Sequence, residues 1–436
     1  MRLPQRIRAS RTCRPDRAKR TGRTGTAVVG ASLAAAAAVL SACSGGSPSD
    51  ATASATASAA STGAGAAARE SGQGDGHGHV DGATELSEAP LSLVTASSDG
   101  RVSLLDLTAD GAPAPITSLP GLTATASDSR FVALTGPDGA LSLVDSGVWT
   151  WDHGDHQHYY RAAARDLGAL GMSGSASVAS TNARTVIASG TTATVLDRQA
   201  LGQGSQSPLT TASIDAGSFA APLGERTVLV SGGRASIIDD SGQAIGQSAS
   251  CPSASGGTLT RAGIVLGCRG GVVVAPEPSS AATAEPPSPE WVPLPGEAAG
   301  ARIVSLSNRA RRSQVAALDD AGGAWLLSVR DRSWTRVSFG APVVAVSAMD
   351  DTRKRVVGVD AEGRVRVWAD GAEATVTEPI ADPALAASAG VRTTPKRAYV
   401  PGADGASVLE IDAADSARLA RTLPAVGMVS FEVVGA

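Results

Sequence analysis

One unit recurs along the chain and limits its folds more than any other feature. A short apolar strand meets a tight glycine turn, and a second strand of alternating apolar residues follows. The first copy spans Leu91–Asp106 and turns at Asp99-Gly100; the second spans Phe131–Asp145 and turns at Asp138-Gly139. Two late copies are as clear, Val356–Trp368 at Glu362-Gly363 and Ala398–Ile411 at Asp404-Gly405. Asp-Gly and Glu-Gly supply the positive φ that a two-residue hairpin turn demands. One glycine per hairpin gives Gly100, Gly139, Gly190, Gly232, Gly270, Gly322, Gly363 and Gly405, in steps of 39, 51, 42, 38, 52, 41 and 42 residues. Five of these steps lie near 40, the period of a four-stranded propeller blade. The two long steps each contain an insertion, a histidine-rich segment in one and the Pro-rich stretch 276–295 in the other.

The pattern predicts an all-β chain whose residues 90–436 form a β-propeller of eight blades, or seven if the weak repeat near Gly190 is irregular. Residues 429–434 are placed to pair into the first blade and close the ring, which removes exposed edges. Aromatic residues are only 3% of the 436, glycine numbers 50 and helix-favouring runs are scarce, so a helical bundle or coiled coil is not expected.

Charge separates the first segment from the rest. Residues 1–42 hold nine basic groups and one acid, leaving 28 basic and 40 acidic residues downstream, a net of −12. The chain has three lysines, Lys19, Lys354 and Lys396. Neutralising phosphates needs clustered Lys and Arg, so nucleic acid is not an expected partner. The Arg-rich start is followed by an apolar run over residues 27–40, the length of a signal-peptide core and short for a membrane span. It ends in Leu40-Ser41-Ala42-Cys43, which resembles a bacterial lipobox. Residues 1–42 are read as a lipoprotein signal peptide and Cys43 as the lipidation site; the alternative is a secretory signal with a chance cysteine. The expected location is extracytoplasmic, with membrane contact through the lipid anchor alone. Residues 43–89 are mostly Ala, Ser, Gly and Thr, too polar and small to bury a core. They read as a flexible tether with a reach of roughly 35–40 Å.

Two of the four cysteines, Cys251 and Cys268, lie in the folded part. In an oxidising location an even pair reads as a disulfide, with a Cys/His metal site as the alternative. All five histidines fall in two clusters, His77-Gly78-His79 and Asp152-His153-Gly154-Asp155-His156-Gln157-His158. Three imidazoles interleaved with carboxylates match zinc, although copper or nickel fits the same donors. The i, i+3, i+5 spacing predicts a turn converging on one ion, because a single strand would point His153 and His156 to opposite faces. The expected ligands are His153, His156 and His158, with Asp155 or Asp152 as the fourth. A solvated polar loop is the competing reading. Trp149, Trp151, Tyr159 and Tyr160 flank the cluster and are expected to pin it to the propeller. His77 and His79 form a weaker candidate site, since two histidines cannot close a tetrahedral shell.

Residues 146–160, Ser-Gly-Val-Trp-Thr-Trp-Asp-His-Gly-Asp-His-Gln-His-Tyr-Tyr, resemble the signature segment of the AztD-type zinc metallochaperones. The resemblance extends to His77-Gly-His79, to Cys251-Pro252 and to Gly267-Cys268-Arg-Gly-Gly271-Val272. It implies an extracytoplasmic propeller that binds Zn2+ and hands it to the solute-binding protein of a zinc ABC importer. One departure stands out: the family's Cys-Pro is followed closely by His-Gly, whereas here Ser255-Gly256 follows, so a second site at that place lacks its histidine. The competing functions are a lactonase- or hydrolase-like propeller enzyme, a quinoprotein-like dehydrogenase and an interaction scaffold. No Gly-x-Ser-x-Gly elbow or dense aromatic centre supports an enzyme, so a monomeric, non-enzymatic carrier is expected.

The anchor is testable directly. Cys43→Ser is expected to release the protein from membrane fractions or to block its processing; unchanged membrane retention would contradict the lipobox reading.

Overall fold

The structure, a computed structural model, describes residues 80–153, 156–278 and 287–436. The signal peptide, Cys43, His77, His79 and Asp155 lie outside the described residues. Among the described residues, eight four-stranded antiparallel sheets follow one another. Each of the eight glycines read from the sequence joins the second and third strands of one sheet, and each has a positive φ, from 58° to 93°. At Gly100 an added Cβ would lie 2.6 Å from the Leu119 carbonyl oxygen, so the turn excludes a side chain on two counts. The weak repeat near Gly190 is a regular blade, Ala176–Ser180, Arg184–Ser189, Thr192–Asp197 and Pro208–Ser213. The propeller therefore has eight blades, not seven.

Strand burial follows from the blade's place between two neighbours. In Phe131–Thr135 every residue is buried, and successive side chains serve opposite interfaces. Val132 and Leu134 pack with Val94 and Val102 of the first blade. Phe131 and Ala133 pack with Ile187 and Leu196 of the third. A period-two chain covered on both faces reads as a continuous apolar run, which is what this strand shows. Outer strands such as Ala114–Ser118 and Arg418–Pro424 are largely exposed. The ring closes as expected: Met428–Val434 pairs antiparallel with Ser92–Ser97, Ser92 opposite Val434, so the last strand completes the first blade.

Cys251 follows the outer strand Ala244–Ser250 of the fourth blade, and Cys268 ends Gly263–Cys268 of the fifth. They form a disulfide with Cα atoms 5.1 Å apart, fully buried in the seam between the two blades. Neither thiol is left for a metal.

A ninth, three-stranded sheet stands apart from the blades. The chain leaves the second blade after Ala140–Asp145, forms a hairpin of Val148–Asp152 and Gln157–Arg161, and returns as Arg165–Ser173. Thr84–Leu86 adds the third strand by pairing with Gln157–Arg161. A strand thus lies upstream of residue 90, inside the segment read as tether. Three residues with no apolar alternation carry no strand signal of their own; the pairing partner imposes the strand.

Replacing both cysteines by Ala is expected to lower unfolding stability by about 3 kcal/mol, from the loop released in the unfolded chain. A shift in denaturant midpoint at unchanged slope measures it, and an unshifted midpoint would show that the bond carries no stability.

Candidate metal centre

The hairpin register decides where each candidate ligand points. Trp149 lies opposite Tyr160, Trp151 opposite His158, and Asp152 opposite Gln157. The His153 N–H donates to the His156 carbonyl at 2.9 Å, which continues the ladder by one pair. Alternation then places Trp149, Trp151, His153, His156, His158 and Tyr160 on one face. The spacing had predicted a turn because one strand would separate His153 from His156. The two residues instead sit on opposing strands, and cross-strand partners share a face.

One ligand atom from each of the three histidines lies within 4.8 Å of the others. The Nε2 atoms of His156 and His158 are 3.0 Å apart. Zinc–nitrogen bonds of about 2.0–2.1 Å in a tetrahedron place two ligand nitrogens about 3.3 Å apart, so the rings need little movement to share an ion. The ring planes of His153 and His156 lie 7° apart with centroids at 5.0 Å, and Trp151 stacks on His153 at 5.6 Å.

A carboxylate that local spacing did not reveal completes the arrangement. Glu85, on the added strand, accepts a hydrogen bond from His158 Nδ1 at 2.5 Å. A carboxylate at Nδ1 favours the His158 tautomer that carries its proton there, with Nε2 directed toward His156. Carboxylate–imidazole–metal chains of this kind fix ring orientation and raise ligand basicity.

Below the histidines the face becomes dry. Tyr160 and Trp149 are buried and stacked with centroids 5.1 Å apart. The Arg130 guanidinium lies 3.8 Å over the Trp149 ring, held by Asp145 through bonds of 2.9 and 2.8 Å. Burial, and then the charge of Glu85, raise the Tyr160 phenol above its ordinary pKa. Of the four flanking aromatics, Trp149 and Tyr160 pack in this way, whereas Trp151 and Tyr159 remain partly exposed.

Asp152 is not brought into the histidine cluster. It lies on the opposite face, where its carboxylate pairs with Arg261 of the fifth blade, and its carbonyl accepts from Asn182 Nδ2 of the third blade at 2.6 Å. Thr150, on that same face, donates to the Gly435 carbonyl at 3.0 Å. One face of the hairpin therefore grips the ring and the other carries the imidazoles, with His153 and His156 exposed. Among the described residues the cluster comprises the three histidines. They leave at least one tetrahedral position for Asp155, water or an incoming ligand.

Fold and site together define an eight-bladed propeller with a metal-capable histidine hairpin over one end of the ring. No family model matches the chain, and no curated relative matches it. Among solved structures it is similar to AztD from Citrobacter koseri, with a TM-score of 0.63 and 15% identity over 80% of this chain and 98% of that one. The apo AztD structure from the same organism gives 0.62 and 14% over the same shares. BamB from Moraxella catarrhalis is more distant, at 0.44 and 12% over 74% of this chain and 94% of its own. The chain has the AztD-type fold.

The two-faced hairpin makes Asp152 a discriminating position. Asp152→Ala is expected to keep zinc stoichiometry and to cost about 1 kcal/mol of stability through the lost, partly exposed ion pair. A collapse of zinc affinity in chelator competition would instead make Asp152 a ligand.

Proposed function

We propose that this protein is an extracytoplasmic zinc carrier, a metallochaperone that captures Zn2+ and passes it to the solute-binding receptor of a zinc ABC importer. The observation that carries the reading is the placement of three imidazoles on the outward face of a hairpin whose other face is fixed to the ring. Nitrogen donors at this spacing suit zinc, and a site with two of its three imidazoles exposed suits release. The AztD-type fold and the signature segment at residues 146–160 support the same reading, and the lipobox would hold the carrier at the membrane where an importer works.

Handover on this account needs no bond-making reaction, so the protein is not an enzyme. A donor atom of the receptor enters the shell, and the hairpin's ligands leave one at a time. The net charge of −12 downstream of residue 42 raises the local concentration of cations. His77 and His79 precede Thr84 by seven and five residues. At full extension, roughly 3.3–3.6 Å per residue, the nearer lies within about 18 Å of the strand that carries Glu85. We assign them a weaker, auxiliary role in capture and transfer.

Competition with a chromogenic chelator tests the reading. The full chain is expected to hold one tight zinc, and His153→Ala/His156→Ala/His158→Ala to lose it with melting unchanged, since none of the three lies in a blade strand. Deleting residues 77–79 should spare the tight site and slow transfer to a receptor. Retention of the same tight stoichiometry by the triple variant would place the metal elsewhere.

A further inference from the structure

Glu85 reaches the histidine cluster from a part of the chain that is only lightly held. Its strand, Thr84–Leu86, is three residues long and forms one edge of the three-stranded sheet. Its one strand partner is Gln157–Arg161, with Thr84 opposite Arg161, Glu85 opposite Tyr160 and Leu86 opposite Tyr159. Thr84 and Glu85 are exposed and Leu86 is partly so, and among the described residues none of the three belongs to a hydrophobic cluster. Strands this short and this poor in buried apolar contacts open locally at small cost. The bond they deliver is nevertheless directed. Glu85 is 73 residues from His158 in sequence, yet its Oε1 lies 2.5 Å from Nδ1, and the His158 side chain is only 14% exposed.

We propose that Glu85 is a positioning residue for metal binding and that Thr84–Leu86 is its detachable mount, so that docking or peeling of this strand sets the affinity of the histidine site. This rests on the zinc-carrier reading and adds a control to it. With the strand docked, the carboxylate holds His158 with the proton on Nδ1 and Nε2 presented to the ion. With the strand lifted, His158 loses the contact that fixes its ring and its tautomer, and one of three donors weakens. The effect is reciprocal by linkage: the factor by which docking tightens zinc binding is the factor by which zinc favours docking. A partner that captures the edge strand, or competes for its pairing with Gln157–Arg161, would thereby loosen the ion at the moment of handover.

Three measurements on the full chain test this. Glu85→Ala is expected to weaken zinc binding by about 10–100-fold, the usual cost of removing a carboxylate behind a metal-bound imidazole, with stoichiometry unchanged; Glu85→Asp should recover part of it. Leu86→Pro keeps the carboxylate but removes a backbone donor from the strand, and is expected to weaken binding in the same direction. Hydrogen exchange at residues 84–86 should slow when zinc is added to the wild type and not in Glu85→Ala. Nitrogen NMR of the His158 ring should show the Nδ1–H form in the wild type and a mixture in Glu85→Ala, a change that a merely structural role for Glu85 would not produce. Wild-type affinity in both Glu85→Ala and Leu86→Pro, with the wild type still binding zinc through the three histidines, would overturn the mount and leave the carrier reading standing. A wild type that binds no zinc would remove the carrier reading itself.

Discussion

The structure depends on ring closure. Each blade has two apolar faces and no means of covering them alone, so every sheet is stable only between two neighbours. Pairing Met428–Val434 with Ser92–Ser97 turns an open row of sheets into a ring without free ends. The Cys251–Cys268 disulfide fastens one seam of that ring covalently. The closing strand also leads to the site: Gly435, one residue beyond it, accepts the hydrogen bond of Thr150 at the base of the hairpin. With Arg261 of the fifth blade and Asn182 of the third also holding Asp152, the hairpin is fixed by blades that only closure brings to one end of the ring.

On that base the two-residue period of a strand does the chemical sorting. Odd positions from Trp149 to His153, and even positions from His156 to Tyr160, share a face, which collects all three imidazoles and their aromatic floor. The intervening positions, Thr150 and Asp152, face the ring. A hairpin can therefore be held firmly while its ligands stay accessible: the Thr150–Asp152 face and the buried Trp149–Arg130 contact at its base hold it, and His153 and His156 at its tip stay exposed. Metal carriers need this combination: a loose mount forfeits affinity to the entropy of ordering, and a buried shell forfeits exchange.

Much of this was legible in the sequence, for identifiable reasons. The second and third strands of each blade announce themselves because both are apolar and meet at a glycine of positive φ, as at Gly363 and Gly405. First and fourth strands such as Ala124–Ser127 and Arg418–Pro424 are small or exposed, and only their partners define them. The histidine cluster was visible as composition. Its geometry was only half visible, since the spacing suggested a converging turn and the structure supplies a cross-strand pair. Asp152 was read as a ligand candidate from adjacency alone, whereas alternation turns it to Arg261. Glu85 could not be found by any local pattern, because its relation to His158 comes from pairing across 73 residues. Thr84–Leu86 was absorbed into the tether for the same reason.

On the proposed reading, three imidazoles of one hairpin hold the ion. Zinc K-edge absorption of the loaded full chain addresses it most directly, because the spectrum reports donor type and number around the metal itself. The account predicts a four-coordinate ion with three imidazole nitrogens at about 2.0–2.1 Å and one further light donor. A first shell containing sulfur at about 2.3 Å, or one with fewer than two imidazoles, would contradict it.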